Sequence, residues 1–460
     1  MSTNSLGLTT PSVSFTGLSS GIDTASIVSK LMQLERQPIT KLQQDKNKLS
    51  IEKAAIQSLN TKIQALRDKS GDLLTGTAFA LRTATSSTTT VATATASASA
   101  ARGSFDVNVT ALAKAHTMAS GGTSTSAGLG SLPADGQTLD VTIGGTTHTV
   151  TFTGADTLQK VVDQINGQIG DAVSASAVTV KDALTGTSYQ KLMLVSDTTG
   201  SGGAMTVAGT AAAGLNLSDT QAGEDAQLTV NSVPVTASGN TVDGAISGVT
   251  LNLAGLGRTV VTVDSDSSGI QDKVQAFVDA YNALVNEVHD QTKYDKDTKT
   301  AGTLQGDQSI SSFLGQLRGL VGGQVTALDG QKYDSLAQIG ITSDKTGLLT
   351  LDATKFKAAL ADDAAKVASV FTQDDGGTTK DLADGIAVRI KDFANSFSTD
   401  VLAKRLTGYS DRTARLDKKI ADLEIVMDMR ETRMKAQFAA MEEAVSKFQS
   451  EASYLSSQLA

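Results

Sequence analysis

The last 45 residues carry an apolar ladder that no isolated helix could keep. Leu416, Ile420, Leu423 and Met427 step by 4, 3 and 4 residues, and Met434, Phe438, Met441, Val445, Phe448, Ala452, Leu455 and Leu459 continue the alternation. That spacing marks one face of an α-helix. Arg430 and Glu431 interrupt it, and the phase shifts there as a stutter would shift it. A helix of about 45 residues with a one-sided apolar stripe cannot hide that stripe by itself, so the chain must supply a partner helix or meet another molecule. The pairs Lys418-Lys419 and Glu442-Glu443 suit a solvent face or interhelix pairing. Met427, Met434 and Met441 recur every seven residues and read as seam residues, not as a ligand set.

The other end of the chain offers a partner. Ile27, Leu31 and Leu34 fall at i, i+4 and i+7 on one helical face, and Pro38 then ends or kinks that helix. Beyond it Leu42, Leu49, Ile56 and Ile63 recur every seven residues, with Leu59, Leu66 and Leu73 in the complementary positions. Asp45 and Glu52 occupy two of those positions, so the early seam is imperfect. Leu42 to Leu73 spans a rod of roughly 48 Å.

The middle of the chain is written differently. From about Arg82 to Ser268 it reads as strand and turn, with strands at "GSFDVNVTAL", "QTLDVTIGGTTHTVTF", "KLMLVS", "AQLTVNSVPVT", "GVTLNLAG" and "RTVVTVDSD". Gly144-Gly145 is a hairpin signal, and "TLQKVVDQINGQI" is a short helix. The low-complexity run "TATSSTTTVATATASASA" reads equally as a flexible linker or as an extended edge strand. Helix returns at Ile270, where Val274, Phe277, Tyr281, Leu284 and Val288 form one stripe; this stripe and the one from Leu49 to Leu73 are expected to cover each other. "SISSFLGQLRGLV" and "ATKFKAALADDAAKVASVF" are further helices, the latter capped by Asp352.

Much chemistry is excluded. The chain has no cysteine, hence no disulfide, thiolate site or cysteine nucleophile. His116, His148 and His289 lie far apart and show no zinc spacing. Gly17-Leu18-Ser19-Ser20-Gly21 satisfies the G-x-S-x-G pattern of a serine hydrolase. The segment before it alternates where a buried parallel strand should be continuously apolar, and no strand–helix alternation follows, so the motif reads as a helix entrance capped by Ser20 or Asp23. Asp295, Asp297 and Asp307 lack the glycine and glutamate of a calcium loop and read as a solvated turn. A formal net charge of -9 disfavours nucleic acid, and the scarcity of aromatics favours extended surfaces over deep pockets. The N-terminus lacks the features of a secretory signal peptide, so the residues by themselves read as cytoplasmic.

Two long terminal helices around a β-rich insert resemble the flagellar axial proteins. The detail is similar to the bacterial flagellar filament-capping family, also called the hook-associated protein 2 family. "FTGLSSGIDTASIVSKLMQLERQPITKLQQ", "GEDAQLTVNSVPVTASGNTVDGAISGVTLNL" with "DKVQAFVDAYNALVNEV", "LTLDATKFKAALADDAAKVASVFT" and "ASYLSSQLA" carry the resemblance in order along the chain, and "QTLDVTIGGTTHTVTFTGADTLQKVVDQIN" resembles the family's insert motif. The resemblance implies an α+β multidomain protein with coiled-coil-like terminal helices (1–42 with 406–460), a discontinuous helical leg domain (43–79 with 270–405) and inserted β-rich plate domains (80–269). It implies a non-enzymatic homo-oligomeric ring at the flagellum tip, outside the cell, without cofactor or metal. That ring would retain flagellin and promote its polymerisation. Export would proceed through the type III apparatus without a cleaved signal peptide. Further implied partners are the hook–filament junction proteins, an export chaperone on the C-terminal helix and, in an adhesin reading, host surface glycans or mucin. The residues expected to carry assembly are the seams themselves.

Overall fold

The computed structural model describes residues 23–121, 131–181, 186, 188–377 and 380–459. They fall into two compact units: one joins the residues up to Leu74 with those from Lys273 onward, and the other is Thr75–Asp272. The helices are α1 (Thr24–Glu35), α2 (Gln37–Leu73), α3 (Leu158–Ile169), α4 (Ala212–Leu215), α5 (Ser267–Thr292), α6 (Gln308–Gly322), α7 (Ala353–Thr372), α8 (Ile386–Ser396) and α9 (Ala403–Leu459).

The strands of the inserted unit are β1 (Arg82–Ser86), β2 (Ala92–Ala96), β3 (Gly103–Ala111), β4 (Ala115–Ser120), β5 (Thr138–Ile143), β6 (Thr146–Thr151), β7 (Val173–Lys181), β8 (Ser188–Thr199), β9 (Met205–Ala208), β10 (Leu217–Gln221), β11 (Ala226–Val230), β12 (Val233–Ala237), β13 (Thr241–Ile246), β14 (Val249–Leu253) and β15 (Gly257–Ser265). They surround two separate apolar cores. Sheets β1-β15-β3-β11-β12 and β13-β14-β2 enclose Val107, Leu228, Leu251 and Val261. Sheets β10-β4-β8-β7 and β6-β5-β9, with α3, enclose Leu139, Phe152, Val161, Ile165 and Leu194. The low-complexity run is not a linker: its Ala/Thr alternation forms β1 and β2, each at the edge of a sheet. Gly144 and Gly145, at φ 56° and 85°, make the tight turn between β5 and β6. Asn231 and Ser232 turn β11 into β12 at φ 48° and 67°, and the Asn231 side chain fixes that turn by accepting from the Asp106 N–H at 2.9 Å. His116 is a buried strand residue whose Nδ1 accepts from the Met205 N–H at 2.7 Å, leaving Nε2 to face Asp219.

In the terminal unit, Asp23 caps α1 by accepting from the Ser26 N–H at 2.9 Å. Arg36 separates α1 from α2, and Pro38 sits in the first turn of α2, where a missing N–H leaves no bond unmade. The heptads then run as the spacing requires: Leu49, Ile56, Leu59, Ile63, Leu66 and Leu73 are buried. Their main cover is α8 and the first half of α9. On α5, Phe277 lies edge-on to Phe371 of α7, and Asn282 is bonded through both side-chain atoms to the backbone of Leu349. That residue belongs to the hairpin β18 (Ile341–Ser343) and β19 (Leu349–Leu351), which follows a two-residue pair, β16 (Tyr294–Asp295) and β17 (Thr300–Ala301). Asp295 does form a turn there, accepting from the N–H groups of Asp297 and Thr298, but Asp307 is no part of a solvated turn and is half-buried at the start of α6.

Between α8 and α9 the chain stays helical through a wide π-type segment, Phe397–Leu402. Beside the buried Ala387, Val388 and Arg389, a stripe of buried residues, Ile386, Ile390, Ala394, Ser398 and Leu402, recurs every four positions into this segment. In an α-helix each step of four overshoots a full turn by about 40°, so four such steps would carry the stripe off the α2 side. The wider turn absorbs that drift. Ser398 donates to Asn60 Oδ1 at 2.7 Å and ties the segment to α2.

Asp307 links two elements, capping α6 through the N–H groups of Ser309 and Ile310 and accepting from Arg405 at 2.5 Å. Burial works to raise its carboxyl pKa, but the Arg405 bond and charge and the two N–H donors outweigh it and hold it below the usual range. Asp307→Ala should therefore cost about 1–3 kcal/mol in chemical denaturation at pH 7. Because the folded pKa is depressed, that difference should persist down to the ordinary aspartate value near ~3.9 and vanish as the pH falls further, through the folded pKa.

Candidate assembly surface

The seam residues separate into a covered and an open stretch of the same helices. α1 lies on α9 through Val28, Met32 and Met427, with Ile39, Val426, Met434 and Phe438 packed around them. Charges close the edges of this contact. Glu35 pairs with Arg430, while Arg36 reaches Asp428 at 3.4 Å and Glu431 at 3.8 Å. Glu431 also bonds Lys435, which together with Arg36 keeps its carboxyl pKa below the usual range. Further along, Lys46 meets Asp417 at 2.5 Å and Lys53 meets Ser410 at 3.0 Å. Arg430 and Glu431, the break in the ladder, thus bind the partner helix with charge where the apolar phase slips.

Leu49, Ile56, Ile63, Ile420 and Met427 are buried, while Leu42, Leu416, Leu423, Met434, Phe438 and Val445 are half-buried. Met441, Phe448 and Leu455 are exposed, Phe448 by 71%. On α1 the reading of the inner face needs correction. Ile27, Leu31 and Leu34 are exposed, and the side turned to α9 is Thr24, Val28 and Met32. α1 carries two neighbouring apolar stripes, about 100° apart, and the spacing i, i+4 fits both. The ion pairs of Glu35 and Arg36 with α9 select the second. A groove of about 760 Å³ remains between α1 and α9, lined in part by Val28, Met32 and Phe438. Ile425 and Met429, which the ladder did not include, are also exposed on α9.

His116, His289 and the Asp374, Asp375 and Asp384 cluster are engaged within the fold among the described residues. Ser19 and its glycines lie outside them. His116 is held in a strand, and Nε2 of His289 meets the Arg318 guanidinium at 2.9 Å. Asp374, Asp375 and Asp384 come close enough to share a cation, but Lys380 sits among them, 2.5 Å from Asp374. The buried Asp384 is engaged by the N–H groups of Asp375 and Asp381, so the cluster closes a loop. No helix is long and apolar enough to cross a membrane among the described residues.

Comparison with known proteins gives one consistent answer. Family models described as "Flagellar hook-associated protein 2 N-terminus" and "Flagellar hook-associated protein 2 C-terminus" match residues 20–116 and 223–450. The chain is 28% identical over 477 residues to the flagellar hook-associated protein 2 of Escherichia coli K12, covering 97% of this chain and 98% of that protein. It is 27% identical to the A-type flagellar hook-associated protein 2 of Pseudomonas aeruginosa, over 94% of each. Among solved structures, the D1-D2-D3 domains of the flagellar cap protein FliD from Escherichia coli superpose with a TM-score of 0.60 at 29% identity, covering 77% of this chain and 99% of that one.

The two faces of α1 can be told apart by experiment. Met32→Asp should place an uncompensated carboxylate against Met427, at a cost of several kcal/mol unless α1 lifts away, and strip hydrogen-exchange protection from the α1 amides. Leu31→Asp, on the exposed face, should leave that protection unchanged.

Proposed function

Since this chain belongs to the flagellar hook-associated protein 2 family, a family of structural cap proteins and not of enzymes, we propose that it caps the distal tip of the flagellar filament as an oligomeric ring. There it retains exported flagellin and promotes its insertion. The observation that carries this reading is the far third of α9, where Met441, Phe448 and Leu455 continue an apolar ladder into solvent. A stripe that long is stable in water only against another molecule, which suits a subunit that acts in assembly.

The division of labour follows the fold. The terminal helices, 1–42 with 406–460, act toward the filament and neighbouring copies. The leg, 43–79 with 270–405, carries them, and 80–269 forms the plate. Two separate apolar cores within that insert support two plate domains. The chain reaches the tip through the type III export route without a cleaved signal peptide. An export chaperone covers the α9 stripe before assembly, and the hook–filament junction proteins are the first surface the cap meets.

The test is a chain carrying Phe438→Asp, Met441→Asp and Phe448→Asp. The inserted unit has its own cores and should keep its fold, read as an unchanged melting transition for that unit. Cells carrying the variant should export it yet release flagellin into the medium and make short or absent filaments. Filaments of normal length with stably capped tips would refute the reading.

A further inference from the structure

Two exposed apolar stripes of the terminal unit share one spacing. On α1 they are Ile27, Leu31 and Leu34, and on the far third of α9 they are Phe448, Ala452 and Leu455; each set falls at i, i+4 and i+7. Stripes of equal pitch interdigitate as knobs into holes. Their flanks differ in charge. Lys30 borders the α1 stripe and Glu451 borders the α9 stripe, and neither has an ion-pair partner among the described residues. The α1 inner face is already taken by α9 of the same chain, so the outer face is turned away from that helix.

We infer that the outer face of α1 in one copy receives the end of α9 from a neighbouring copy, with Leu31 packed near Phe448 and Lys30 near Glu451. The second copy is the occupant because it offers matched pitch and opposite charge on the same chain. The two faces are different patches, so the contact is heterologous. Repeated from copy to copy it closes a ring if the rotation closes, and otherwise winds a helix. This rests on the ring reading above and names the surface that builds the ring.

The absence of cysteine makes the test free of background. Full-length Leu31→Cys and Phe448→Cys chains, carrying tags of different size, are mixed, allowed to assemble and oxidised. The expected product is the mixed disulfide, in excess over either self-product. Adding Lys30→Glu to the first chain should lower its yield, and adding Glu451→Lys to the second should restore it. Rings that form without the mixed disulfide, or that give mainly Leu31→Cys self-pairs, overturn this contact and leave the ring reading standing. A crosslink from Leu31→Cys to flagellin alone on filament tips also overturns it. Chains that stay monomeric in sedimentation at every concentration overturn both.

Discussion

The terminal unit depends on one antiparallel seam. α2 runs against the helical length from α8 into α9, and polar links mark its register: Asn60 with Ser398, Lys53 with Ser410, Lys46 with Asp417, and Arg36 with Asp428. From Lys53 to Arg36 each step toward the start of the chain on one side is matched by nearly the same step toward its end on the other, as two helices of equal rise require, whereas from Asn60 to Lys53 the partner takes 12 residues for 7 over a stretch that includes most of the π-type segment. Exposed ion pairs of this kind add little energy, so their use here is positional. The stability comes from Leu49, Ile56, Leu59, Ile63 and Leu66, removed from water by residues more than three hundred positions away.

That separation has a consequence for how the protein matures. α2 is apolar every seventh residue, yet nothing near it in sequence can cover it. Its partner is the last part of the chain to emerge, so the unit cannot complete its core before the whole chain is present. The inserted unit needs less of the chain: β1, β2 and β3 pair with the distant β15, β14 and β11, but its two cores draw only on residues between Thr75 and Asp272.

Sequence pattern revealed the seams more readily than their partners. The heptads from Leu49 to Leu73 and the ladder from Leu416 announce helices whatever surrounds them, because their period is intrinsic. Which helix covers which is a tertiary matter, and two stripes as similar as those of α2 and α5 leave it undecided until packing selects. The π-type segment has no comparable signal, since a repeat of four from Ile386 to Leu402 is also what an ordinary helix shows. Strands β4, β7, β9, β10 and β13 were missed for a different reason: "AHTMAS" and "VSASAVTVK" mix small and polar residues whose strand character is supplied by the neighbouring β8. The low-complexity β1 and β2 are the same case, decided by the strands beside them. On α1 the candidate site was legible as apolar but not as inward or outward, since Ile27 and Val28 are adjacent in sequence and charge, not apolarity, sets the rotation.

The same register explains where the stripe of α9 opens. Glu35 pairs with Arg430 and Arg36 with Asp428, and carrying that register back to Thr24, the first residue of α1, reaches α9 at about residue 440. The half-buried Phe438 lies just inside that limit, and beyond it Met441, Phe448 and Leu455 are exposed while Val445 is still half-buried. The boundary between structural and available surface is therefore not written into the α9 ladder, whose residues have the same character on both sides. It is set by the length of the helix laid against it. A longer α1 would bury more of the ladder, and one that began later than Thr24 would uncover Phe438 and then Met434.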